Sequence, residues 1–160
     1  MHGAQFSIKG FIVFMILCFI LLDLSAQNPD YSGTWKLNLE KSRLESMPED
    51  FTGSLFIIEQ TENKFQLTRY HFFGDNKKRI KIRMVADGQT HHVKLLFKGR
   101  LEWHGDTLQS VLFRKNFSNI VNYNFGASQN EFIADEIMKS PAENHHNIWV
   151  FDREIIKNEP

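Results

Sequence analysis

The chain has 160 residues and balances 19 Lys and Arg against 19 Asp and Glu, so it carries no net charge at neutral pH. Nucleic-acid binders leave a basic excess, and none exists here, so a polyanion partner is not expected. Its single cysteine, Cys18, precludes an internal disulfide and, lying in a segment expected to be removed, leaves no thiol for catalysis, zinc–thiolate or iron–sulfur chemistry.

At the start of the chain, Lys9 precedes a twelve-residue apolar run, Phe11 to Leu22, and then Leu24-Ser25-Ala26. A spanning helix needs about 20 residues. A basic start, a short apolar core and a small-residue site define a secretory signal, with cleavage expected after Ala26. The alternative is an uncleaved anchor, since Asp23 follows the core closely. Large residues, Ile16 and Leu17, precede Cys18, which argues against a lipid anchor. The expected organisation is a signal peptide over 1–26, one domain over 27–156 and a frayed tail over 157–160. The mature protein is expected to be periplasmic or secreted and monomeric, with no membrane span. A domain of this length buries roughly 70% of its unfolded surface and can hold without cystines.

No proline lies between Pro48 and Pro141, and turn signals recur through that stretch at Glu62-Asn63, Gly74-Asp75-Asn76, Asp87-Gly88, His104-Gly105-Asp106 and Gly126 to Asn130. Proline-free runs suit continuous ladders, and such turns supply the positive φ of tight hairpins. Between them the residues alternate: Ile80, Ile82, Met84 and Ala86 oppose Lys81 and Arg83, and Val121, Tyr123 and Phe125 oppose Asn122 and Asn124. Strands are predicted near 33–39, 54–60, 64–73, 77–86, 90–97, 99–104, 107–115, 119–125, 130–138 and 146–154. One short helix is predicted over Glu40 to Met47, ended by Pro48. The cationic run from Lys77 to Arg83 is read as a solvated outer face, or else as a patch for an anionic surface or headgroup. Short strands at this spacing argue for an all-β sandwich or barrel.

Gly33-Thr34-Trp35-Lys36-Leu37 resembles the opening strand of the lipocalin and fatty-acid-binding-protein superfamily, the calycins, and Val150-Phe151-Asp152-Arg153 resembles its last strand. Tyr31 to Asn38 followed by Lys41-Ser42 is similar to exported bacterial lipocalin-like proteins. The resemblance implies a single closed antiparallel up-and-down β-barrel of eight to ten strands. It also implies structural closure by Gly33, Trp35 and Arg153, with the guanidinium over the indole face. Intracellular fatty-acid carriers hold the lipid carboxylate with an arginine and a tyrosine on the last strand. Trp149 and Phe151 stand at those positions, so fatty-acid specificity is not carried over. The link from Asn38 to Gly53 is also too short for the carriers' two lid helices.

No residue set declares a reaction. His91/His92 and His145/His146 are adjacent, so each pair points to opposite strand faces and cannot clamp a metal; His71 and His104 stand apart. No metal or cofactor is expected. Glu59, Glu102, Asp135 and Glu136 lie within strand patterns; outer-face exposure is the default, and a buried one would have a raised pKa. The glycines stand alone, without a phosphate loop. The residues expected to line an interior are Met84, Trp103, Phe113, Tyr123, Phe125, Phe132, Trp149 and Phe151. The chain thus reads as a non-enzymatic exported barrel holding a small apolar or amphipathic ligand. The alternative is a barrel filled by its own side chains, with 11 of the 15 Phe beyond the signal, acting as an envelope interaction or structural module.

Overall fold

The computed structural model describes residues 28–45 and 47–154. The expected signal, 1–26, and the tail, 157–160, lie outside them. Ten antiparallel strands follow one another: β1 Gly33–Leu37, β2 Phe51–Gln60, β3 Lys64–Phe73, β4 Asn76–Val85, β5 Thr90–Lys94, β6 Phe97–His104, β7 Thr107–Arg114, β8 Phe117–Phe125, β9 Glu131–Lys139 and β10 Asn144–Arg153. Each pairs with its sequence neighbour except β4 with β5, and β1 pairs with β10. The sheet curls into a barrel closed everywhere but along the β4–β5 seam, where the two strands lie side by side without a ladder.

Alternation decides what faces in. Phe56 and Ile58 on β2, Phe65 and Leu67 on β3, Leu101 on β6, Leu108 on β7, Val121 and Tyr123 on β8, Phe132 and Ala134 on β9, and Trp149 and Phe151 on β10 form one buried cluster. Where a strand contributes two, they stand two residues apart, the period that places side chains on one face.

Two expectations are corrected. The chain forms no helix between β1 and β2, and none among the described residues. Instead Arg43 bridges Ile148 of β10, with Arg43 N donating to Ile148 O at 2.9 Å and Ile148 N to Arg43 O at 2.8 Å. Where β1 stops at Leu37, β10 still offers free backbone groups, and the connection satisfies them as an extended strap. Glu45 N adds a bond to the buried Asn147 Oδ1 at 2.7 Å. The β5–β6 turn falls at Leu95-Leu96 rather than near residue 98, because Gly99 is drawn into the ladder opposite His91 and Leu112.

Candidate functional site

The two ends of the barrel differ in how they are filled. At one end Trp35 pairs in register with Arg153, whose guanidinium carbon lies 4.1 Å from the indole centroid. Arg153 Nη1 donates to Ser32 O at 2.8 Å, and Trp35 Nε1 donates to Tyr31 O at 2.9 Å. Tyr31 is fully buried and donates its hydroxyl to Tyr123 O at 2.9 Å; burial pushes its pKa up to about 12, so it stays a donor. Gly33 has φ +140°, and a Cβ there would sit 2.6 Å from Arg153 Nη1. Only glycine permits both that backbone and that approach.

Toward the other end lies a cavity of about 230 Å³, lined by the apolar Ile80, Ile82, Val93, Phe97, Leu112, Phe117 and Met138 and the polar Arg69, Lys94, Asn119 and Glu136. The apolar walls come from both sides of the β4–β5 seam. Gly99 lets two of these wall residues pack over its backbone, because a methyl there would come within 2.6 Å of Val93 Cγ2 and 3.0 Å of Leu112 Cδ2. A larger cleft of about 850 Å³ runs along the seam nearer the Trp35 end. It takes outward residues such as Glu59, Gln66 and Arg83 into its lining together with inward Phe65 and Met84, so it is an open surface groove. The smaller cavity is where buried polar groups, Asn119 and Glu136, converge.

Glu136 forms its floor. The side chain is buried, and both carboxylate oxygens are occupied: Asn119 Nδ2 donates to Oε1 at 2.7 Å, and Asn147 Nδ2 and Trp149 Nε1 donate to Oε2 at 3.1 and 2.7 Å. Burial pushes its pKa up, but Asn119, the charge of Arg69, Asn147 and Trp149 outweigh it, and the net shift is downward. The expectation that a buried Glu would be raised fails here because three N–H donors are aimed at the ionised form.

Arg69 is the counterpart. It follows Phe65 and Leu67 on the inward face of β3. Its Nε is buried with no hydrogen-bond partner among the described residues, and its guanidinium stands 6.0 Å from the Phe56 ring. Arg69 and Glu136 line one cavity without a direct ion pair. Two residues on, His71 Nδ1 lies 2.9 Å from Ser54 Oγ. Burial, then the Arg69 charge, pull its pKa down to about 4, so the ring is neutral at physiological pH.

None of the eight residues expected to line an interior borders this cavity. Tyr123, Phe125, Phe132 and Phe151 are packed against one another and the Trp35 end; Phe132 stacks on Phe151 at 4.8 Å, and Phe125 lies 4.6 Å from Tyr31. Trp103 stacks on Tyr31 at 6.1 Å. Met84 packs on Ser110 and borders the seam cleft. Trp149 reaches the site only through its indole N–H. Phe113 follows inward Leu112 and so lies on the other face of β7, with Val111 and Gln109. The lining residues that the sequence reading passed over as a site include Arg69, Asn119, Glu136, Val93, Leu112 and Met138. Among the described residues no group of three or more His, Cys, Asp or Glu converges as metal ligands, and no helix is long and apolar enough to cross a membrane.

This antiparallel barrel fold is shared by solved structures. Zebrafish ileal bile acid-binding protein, complexed with cholic acid, superimposes with a TM-score of 0.54 at 11% identity, over 78% of this chain and 98% of that one. Fatty-acid-binding protein 1 of Echinococcus granulosus gives 0.54 at 10% identity, with the same coverage of both chains. A point mutant of the fluorescent protein UnaG gives 0.52 at 12% identity, over 78% and 96%. No protein-family profile and no curated protein matches the sequence.

Proposed function

We propose that this chain is an exported carrier that holds a small apolar or amphipathic molecule in its barrel, acts as a monomer and catalyses no reaction. The observation that carries the reading is the cavity of about 230 Å³, with largely apolar walls and a buried Arg69 Nε that has no partner among the described residues. A folded chain rarely leaves a buried donor unmatched, and a mostly apolar hollow with a few placed polar groups is what ligand sites look like. Two of the similar folds are named for binding bile acid and fatty acid, which fits a container. Export rests on the apolar run before Leu24-Ser25-Ala26.

Thermal denaturation with a panel of short lipids, ketones and small quinones tests it. A ligand at a hundred times its Kd adds about 2.7 kcal/mol to the folded state, a shift of several degrees for a domain of this size. A panel that leaves the midpoint unmoved overturns the reading. A second reading, an envelope interaction module, is favoured by the solid aromatic packing at the Trp35 end and by a cavity below the ~300 Å³ of most ligand pockets. Capture of a specific envelope partner beside a flat ligand panel supports it.

A further inference from the structure

The cavity's charge arrangement says what kind of head group it takes, an inference that rests on the carrier reading. We infer that the site selects an uncharged molecule carrying one hydrogen-bond acceptor, such as a ketone or ester oxygen at Arg69, over a carboxylate of the same size. The interior already holds one full charge of each sign. Glu136 already accepts three bonds from neutral donors, with at least one on each oxygen, so its charge is stabilised without a ligand. Arg69 presents donors to the cavity, its Nε unmatched. His71, two residues on along β3, adds no charge, and Lys94, the remaining charged group in the lining, is exposed to water.

A carbonyl oxygen supplies the missing acceptor and leaves the interior balanced. A carboxylate gains the same guanidinium, but it must first be stripped of water and then shares a low-dielectric cavity with the Glu136 anion. Like charges so placed disfavour one another. The selectivity is therefore set by Glu136, a residue the ligand need not touch. The volume matches roughly eight waters of liquid, hence a ligand of on the order of ten non-hydrogen atoms.

Calorimetry at neutral pH with methyl heptyl ketone, octanoate and nonane decides it. The ketone is expected to bind about tenfold more tightly than either of the others, the worth of one charge-assisted hydrogen bond. Arg69→Met should bring the ketone down to the alkane. Glu136→Gln, which leaves Arg69 uncompensated, should narrow or reverse the preference for ketone over octanoate; rescue of the wild-type order by Glu136→Asp sharpens the assignment. Octanoate binding as well as or better than the ketone to the wild-type protein overturns the inference and leaves the carrier reading standing. So does nonane binding as well as the ketone. If none of the three binds, both fall. The wild-type comparison needs no variant to fold.

Discussion

At the Trp35 end of the barrel the buried donors of Trp35, Tyr31 and Arg153 all reach backbone carbonyls. At the cavity end Glu136 collects three donors while Arg69 Nε finds no acceptor among the described residues. The first arrangement specifies one geometry and leaves none of these three donors unmatched for a guest. The second is satisfied only in part: both oxygens of its carboxylate have donors, and the Nε of its guanidinium has no acceptor among the described residues. A complete polar network fixes a fold, and an incomplete one beside a hollow marks where a further group fits.

The comparison breaks most plainly at the solid end. Trp35→Ala removes a fully buried indole and also deprives Arg153 of the face it covers. It should cost about 3–5 kcal/mol, read by urea unfolding. A loss below about 1 kcal/mol would mean that the end is not held by the plug. Glu136→Ala comes next, because it orphans three donors, and Trp149 cannot turn its indole N–H away without breaking its packing against Phe151. The expected loss is roughly 3 kcal/mol. A neutral outcome would show that the floor is not preformed. Gly33→Ala is smaller, about 1–3 kcal/mol, from the disfavoured backbone and the contact with Arg153; urea unfolding resolves it, and a stability equal to wild type would place Arg153 elsewhere.

Effects of pH report on the cavity wall. The pKa of His71 falls from the ordinary 6.5 to about 4 in the folded chain, under burial, Arg69 and Lys78, and against Glu136. The unfolded chain therefore binds the extra proton first, so stability from this group is complete above about pH 6.5 and is lost as pH falls toward 4. Glu136 does not confuse the upper part of that window, since its folded pKa lies below the ordinary 4.5. His71→Gln should flatten the dependence of the urea midpoint on pH between 4.5 and 6.5. Equal slopes in both proteins would mean that the ring is hydrated.

Much of the fold was legible because barrel strands repeat every two residues, and turns such as Asp87-Gly88 need positive φ. Closure was legible because Gly33 to Leu37 and Val150 to Arg153, at the two ends of the pattern, resemble known opening and closing barrel strands. The strap at Arg43 was not, since whether a short polar stretch coils or pairs depends on what β10 leaves free, a tertiary fact. The cavity was hidden for a related reason. Aliphatic residues such as Ile80, Ile82 and Leu112 alternate identically whether they meet a neighbour or a void, and the aromatic residues, being the largest, draw attention toward the part packed most densely. A signal did exist. Phe132, Ala134 and Met138 share one face of β9, and the position the series skips is Glu136; Phe65 and Leu67 lead in the same way to Arg69.

The smallest expected effect is the one on which the contrast between the ends depends. Arg69 Nε makes no hydrogen bond to another described residue, and the guanidinium has only the long approach to Phe56 at 6.0 Å. Methionine keeps most of its length and removes the unmatched donors. Arg69→Met should therefore leave ligand-free stability within about 1 kcal/mol of wild type, or raise it. Some compensation is lost, because the Arg69 charge is one of the causes that hold Glu136 ionised, but the three donors on that carboxylate remain. Urea unfolding of Arg69→Met beside Glu136→Ala is the direct comparison. If the two fall together, the guanidinium is part of the wall in the same sense as the carboxylate, and the cavity end is built on the same rule as the Trp35 end. If only Glu136→Ala falls, Arg69 is held in the barrel at no benefit to the empty protein, which is the condition expected of a group kept for what enters.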